Sequence, residues 1–194
     1  MEASVATAVE FAGPGVASEQ RICTAKGPMA IAELTSGGGV AAIGYDPAQR
    51  RYLQTTLKAK PAGQKPVVRV TTDKGPFTVA CEQLVMLDDG RLVPALQLEP
   101  GHRLRACVTK ERKLVEGEDD AFKFTGGNLL DLVSAECAVA NWYPKPTVEL
   151  TGPVPVCELE AAAPTGKDGA GALNTAVLWI DNASGGVGIV IALA

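Results

Sequence analysis

The sequence predicts an all-β protein, barrel-like or sandwich-like, on three observations. Its apolar runs are short, turn residues separate them at frequent intervals, and helical windows are scarce. Among 194 residues there are 21 glycines and 13 prolines, spread so that few stretches can hold three uninterrupted helical turns. That length suits one domain and leaves no comfortable room for two. At most one or two short helices are expected.

Strand-like runs fall at 67–72, 77–81, 84–87, 104–108, 147–150, 154–159, 176–180 and 187–191. They are rich in Val, Ile, Leu, Thr and Phe, which suit a pleated, half-buried surface. Two connections carry specific turn chemistry. Asp88, Asp89 and Gly90 form a tight hairpin signal, because Asp-Gly supplies the positive φ such turns need. Thr72 to Phe77, with Gly75 and Pro76 inside it, joins the run at 67–71 to the run at 77–81. Together they predict a meander of three to four antiparallel strands across 66–95. The best helical window is 127–137, where Leu129, Leu130, Val133 and Cys137 could share a face.

Hydrophobic residues make up 46% and charged residues 21%, the balance of a globular chain rather than a disordered one. The net charge of −4, from 18 basic and 22 acidic side chains, argues against a dedicated nucleic-acid binder, which needs a basic excess to displace counterions. His102 is the single histidine. Its solitude excludes a three-histidine zinc centre, a C2H2 finger and chemistry that needs two imidazoles.

The cysteines, Cys23, Cys81, Cys107, Cys137 and Cys157, include no CxxC pair, so no metal or redox motif is expected. They read as reduced thiols packed as small hydrophobes in a reducing compartment. The glycine clusters at 36–39 and 183–186 lack the Lys-Ser/Thr of a phosphate loop, and no cofactor is expected. Residues 1–16 carry Glu2 and Glu10 and no basic side chain, unlike a secretory or transit signal. No apolar run approaches a bilayer span. The expectation is an intracellular, cytoplasmic protein.

Charge is unevenly placed. Residues 50–74 hold Arg50, Arg51, Lys58, Lys60, Lys65, Arg69 and Lys74 against Asp73 alone, and 111–120 hold five acids. Two solvated loops explain this most simply; the functional alternative is a docking face for a partner. Trp142, Tyr143 and Trp179 could line a ligand surface, though packing is the commoner use of so few aromatics.

A longer pattern runs through the hairpins. Thr72 and Gly75 fit a "T-x-x-G" turn, and Asp89, Gly90, Val93, Ala95, Leu98, Gly101 and Leu104 fit "D-G-x-x-V-x-A-x-x-L-x-x-G-D-x-L". With the hairpin spacing included, this stretch resembles the middle of a Hint module, the fold shared by hedgehog C-terminal domains and inteins. Residues 21–34 resemble the family's opening strand and turn, 37–45 its continuation, and 154–159 and 173–194 its closing strands. The resemblance implies a compact, pseudo-twofold, horseshoe-shaped all-β structure whose two chain ends approach one cleft. It divides the chain into an arm, 1–14, and a module, 15–194, with insertions near 110–127 and 160–172.

Hint modules rearrange a peptide bond by N-to-S acyl shift. That chemistry takes a thiol or hydroxyl at the module's start, an imidazole acting on the scissile amide, and in inteins a terminal His-Asn that cyclises. Here the imidazole position, the last of "T-x-x-H", falls on Gln83, which cannot shuttle a proton near neutral pH. The terminal pair falls within 191–194, at Ala192 and its neighbours, and the aspartate of "G-D" is replaced by His102. The resemblance puts the nucleophile near Gly15, where no thiol stands; Ser18 is the nearest hydroxyl, and Cys23 reads as a packed strand residue. The expectation is a catalytically silent Hint-like module, working as a structural or protein-interaction unit within a larger assembly. The alternative is a self-processing domain, inactivated by mutation or running on Cys23 or Ser18 with His102.

Overall fold

The computed structural model describes residues 13–24, 27–35, 39–48, 50–112, 129–140, 147–161, 174–181 and 186–193. Thirteen strands are present among them: β1 (Val16–Ala17), β2 (Arg21–Thr24), β3 (Gly27–Ala30), β4 (Val40–Asp46), β5 (Arg51–Thr72), β6 (Gly75–Ala80) and β7 (Leu84–Met86). The others are β8 (Leu92–Pro94), β9 (Ala106–Arg112), β10 (Leu129–Ala135), β11 (Val148–Ala161), β12 (Thr175–Ile180) and β13 (Val187–Ala192). Two short 3-10 turns, Ile31–Thr35 and Ala95–Gln97, are the described helical elements. All strand pairings are antiparallel, as the short runs and turns predict. They form one continuous sheet in the order β10-β9-β13-β12-β2-β4-β5-β11-β1-β6, and β6 pairs again with β5.

The predicted turns form as their residues require. Gly75 closes the β5–β6 hairpin opposite Thr72, whose hydroxyl donates to the Gly75 carbonyl at 2.7 Å. Gly90, at φ +93°, closes β7 on β8. The expected continuous meander does not form, however. β7 pairs with β13 through Val85 and Ile191 rather than with β6, from which a turn at Cys81–Glu82 separates it.

Two further expectations are corrected. The helix at 127–137 is instead strand β10, in register with β9 from Leu129↔Arg112 to Ala135↔Ala106. Its apolar residues at 129, 130, 132 and 133 fit either period, and the available partner strand decides between them. The runs at 147–150 and 154–159 are one strand, β11. It accommodates Gly152 and Pro153 as an irregularity between Thr151 and Val154, the place where a sheet tolerates proline.

Burial explains the composition of the closing hairpin. All six residues of β12 are buried, as are the first five of β13. Ala176, Leu178, Ile180, Ile189 and Ile191 face the main core beside Phe77, Val68 and Ile22. Val177, Trp179 and Val190 face a second cluster with Cys23, Tyr45, Tyr52 and Cys107. A strand covered on both faces reads as an unbroken apolar run, which is what 176–180 and 187–191 present. Trp179 is thus packed rather than presented to a ligand, and its indole N–H is held by Asp181 at 3.1 Å.

The basic stretch at 50–74 proves to be largely one long strand, β5, whose lysines oppose glutamates of β11. Lys58 and Lys60 pair with Glu160 at 3.7 and 3.1 Å, and Lys60 and Lys65 reach Glu158 at 3.6 and 3.7 Å. Glu160 holds the Lys60 pKa above its ordinary value, and Lys60 holds that of Glu160 below its own. Lys60 therefore stabilises the fold up to the usual lysine range, and the benefit fades as pH rises through its raised pKa. The Glu160 contribution is present above the usual carboxylate range and fades as pH falls through its lowered pKa. Exposed pairs like these contribute little and weaken with salt. Residues 113–120 of the acidic cluster, most of both proposed insertions, Trp142, Tyr143 and residues 1–12 of the arm lie outside the described residues.

Gly188 is where this packing is tightest: a Cβ there would lie 2.4 Å from Val177 Cγ1 and 3.0 Å from Cys107 Sγ. Gly188→Ala should therefore destabilise the fold by about 1–3 kcal/mol, as overpacking does. The check is the urea unfolding midpoint, with an unchanged slope marking an intact native topology.

Candidate functional site

β1 is two residues long and lies between β11 and β6, with Val16 opposite Cys157 on one side and Val79 on the other. That lodgement fixes the three residues before it. Glu82 Oε2 accepts the Gly13 N–H at 2.7 Å, Lys65 Nζ donates to the Pro14 carbonyl at 3.1 Å, and Ala80 N–H donates to the Gly15 carbonyl at 2.9 Å. The remaining polar group, the Gly15 N–H, donates to Gln83 Oε1 at 3.1 Å.

Gln83 is buried at 4% exposure, and its backbone is locked on both sides: its N–H donates to Ala80 and its carbonyl accepts from Ala95. The other end of its carboxamide donates to the Ala192 carbonyl at 2.6 Å and to that of Leu84 at 3.1 Å. One side chain therefore bridges the start of the module and the end of β13. Around it, Pro14, Gly15, Gln83, Glu158, Leu159, Ala192 and Leu193 close on a space that does not admit a water molecule. Gly15 sits at φ +156° with ordinary contacts awaiting a Cβ, the nearest 3.4 Å away at the Cys157 carbonyl. A side chain there would be strained by its backbone angle rather than excluded by its neighbours.

The other sequence-derived positions lie apart. Ser18 occupies the turn after β1, its hydroxyl 3.4 Å from Cys157 Sγ, and lines a separate cleft of about 440 Å³ with Gln20, Thr78 and Pro155. Cys23 lies in β2 inside the second core cluster. His102 is half-buried in the loop before β9, where its Nδ1 accepts the Glu99 N–H at 3.0 Å and its carbonyl accepts from Val139. Neither Gly15, Ser18 nor Cys23 is among its hydrogen-bond partners.

The geometry has close counterparts of known structure. A DnaB mini-intein variant (Ssp DnaB) superposes with a TM-score of 0.63 at 13% identity, covering 94% of this chain and 99% of that one. The bacterial intein-like domain from Clostridium thermocellum gives 0.57 at 14%, covering 93% and 99%. The DnaB intein from Synechocystis sp. PCC 6803 gives 0.56 at 13%, covering 94% and 99%. The chain has the intein/Hint fold. No protein-family model matches its sequence, and no curated protein does.

Within this Hint fold the thiols are packed away from solvent. All five cysteines are free and buried. Desolvation pushes Cys23 and Cys107 up to about 12 and Cys137 to about 11, and it raises Cys81 as well. A thiol must ionise to act as a nucleophile, so Cys23 is a packed side chain and not an activated one.

Lys65 and Glu82 were not legible as site residues. Lys65 hides in a basic run and Glu82 in a turn, and only the return of β5 and β6 beside the arm brings them to Gly13 and Pro14.

Two outcomes check this geometry. Gln83→Ala should lower stability by about 2–3 kcal/mol, since it leaves the buried Gly15 N–H and Ala192 carbonyl unpaired; faster hydrogen exchange at the Gly15 amide would localise the loss. Native protein at pH 8 should show none of its thiols to a disulfide reagent within minutes, and all five once unfolded in denaturant.

Proposed function

We propose that this chain is a catalytically silent Hint-fold module that serves as a structural or protein-interaction unit, its two ends tied together by Gln83. The observation that carries this is the polarity at the Pro14–Gly15 bond. Breaking an amide requires a proton for the departing nitrogen, yet here the nitrogen's own hydrogen is donated to Gln83 Oε1. A carboxamide has no proton to give in the neutral range. The usual attacking group is also missing, because residue 15 is glycine.

At the other end, Ala192 offers neither a cyclising amide nor an imidazole. The base, the nucleophile and the cyclising group are all absent, and groups that act as a unit lose most of their catalysis when any one of them is missing.

What remains is mechanical. The arm enters and the last strand ends at one point, so the module presents whatever it is joined to from a single rigid place. Its partner is a protein, and five free thiols fit a reducing, intracellular setting. Among the described residues no helix is long and apolar enough to cross a membrane.

Incubation of the purified protein with dithiothreitol or hydroxylamine, followed by intact-mass measurement, tests the proposal. The mass of the full chain should persist for days. Discrete loss of the segment ahead of Gly15, Ser18 or Cys23 would replace it with the self-processing alternative.

A further inference from the structure

Lys65 has a place in this site that the loss of catalysis does not explain. Its side chain is only 16% exposed, and its ammonium is directed inward by Glu158 at 3.7 Å. It ends 3.1 Å from the carbonyl oxygen of Pro14, the acyl half of the bond whose nitrogen Gln83 holds. Approach this close depends on Gly13: a Cβ there would stand 3.2 Å from Lys65 Nζ, and the residue adopts φ +89°. Gln83 holds the Gly15 N–H of the same planar peptide unit, so the carbonyl cannot swing away from the ammonium.

We propose that Lys65 is the carbonyl-polarising residue of the Pro14–Gly15 bond, an electrophile-activating half of the site that stands intact while the nucleophile and the proton donor are absent. This rests on the assignment of that bond as the Hint acyl-shift position. A cation here lies where negative charge develops when the carbonyl carbon becomes tetrahedral, and a pre-placed donor at that point accelerates acyl transfer.

The missing groups can be put back. In a Gly15→Cys, Gln83→His protein, the introduced sulfur attacks the Pro14 carbonyl carbon, forming a C–S bond as the C–N bond breaks. The thiol proton passes through the introduced imidazole to the departing nitrogen. Added dithiothreitol then attacks the thioester, releases residues 1–14 as its own thioester and regenerates the protein thiol.

The experiment follows release of residues 1–14 by intact mass in that double variant, alone and combined with Lys65→Met or Lys65→Arg. The proposal expects release from the double variant and from its Lys65→Arg form, slowed about 100-fold by Lys65→Met. Equal release with and without Lys65 overturns the role of Lys65 and leaves the acyl-shift assignment standing. No release from a double variant that retains the parent's thermal unfolding overturns both. Should a side chain at position 15 prevent folding, the protein with its native Gly15 supplies the test. In the unaltered protein, the carbonyl-carbon NMR resonance of Pro14 should move upfield on Lys65→Met, and an unmoved resonance also overturns the proposal.

Discussion

A single buried carboxamide joins the backbone just ahead of β1 to the end of β13. Gln83 accepts from Gly15, just ahead of the first strand, and donates to Ala192, at the end of the last strand of the described chain. Removing it would leave a buried donor and a half-buried acceptor without their partner, which costs more than the bonds themselves contribute. The position of β1 between β11 and β6, the entry of the arm and the seating of β13 all converge on this contact.

The same contact separates this chain's chemistry from its shape. An imidazole in that place could hand a proton to an amide nitrogen; a glutamine can only hold the amide still. A shared fold does not fix a shared reaction, and function is argued from the site rather than from the superposition. At 13–14% identity to the intein structures, the backbone is what is shared.

The strands around the site show why some features were visible in advance. The Gly75 and Gly90 turns were legible because turn chemistry is local. β12 and β13 were legible because burial on both faces leaves an unbroken apolar run. β5 was not seen at full length: Pro61, Gly63 and Pro66 punctuate it, and pairing with β4, β6 and β11 carries it through them. β10 was misread as helix because its spacing satisfies both periods until β9 is there to pair with it.

By itself, then, the sequence determined the all-β class, the hairpin turns and the identity of residues that cannot transfer protons, since these follow from composition and from neighbours a few positions apart. Tertiary structure alone decided which groups meet. Lys65, Glu82 and Gln83 reach the arm across separations of 51 to 69 residues, and no local preference encodes such encounters. They follow from strand register, which is set by burying one particular face of every strand at once.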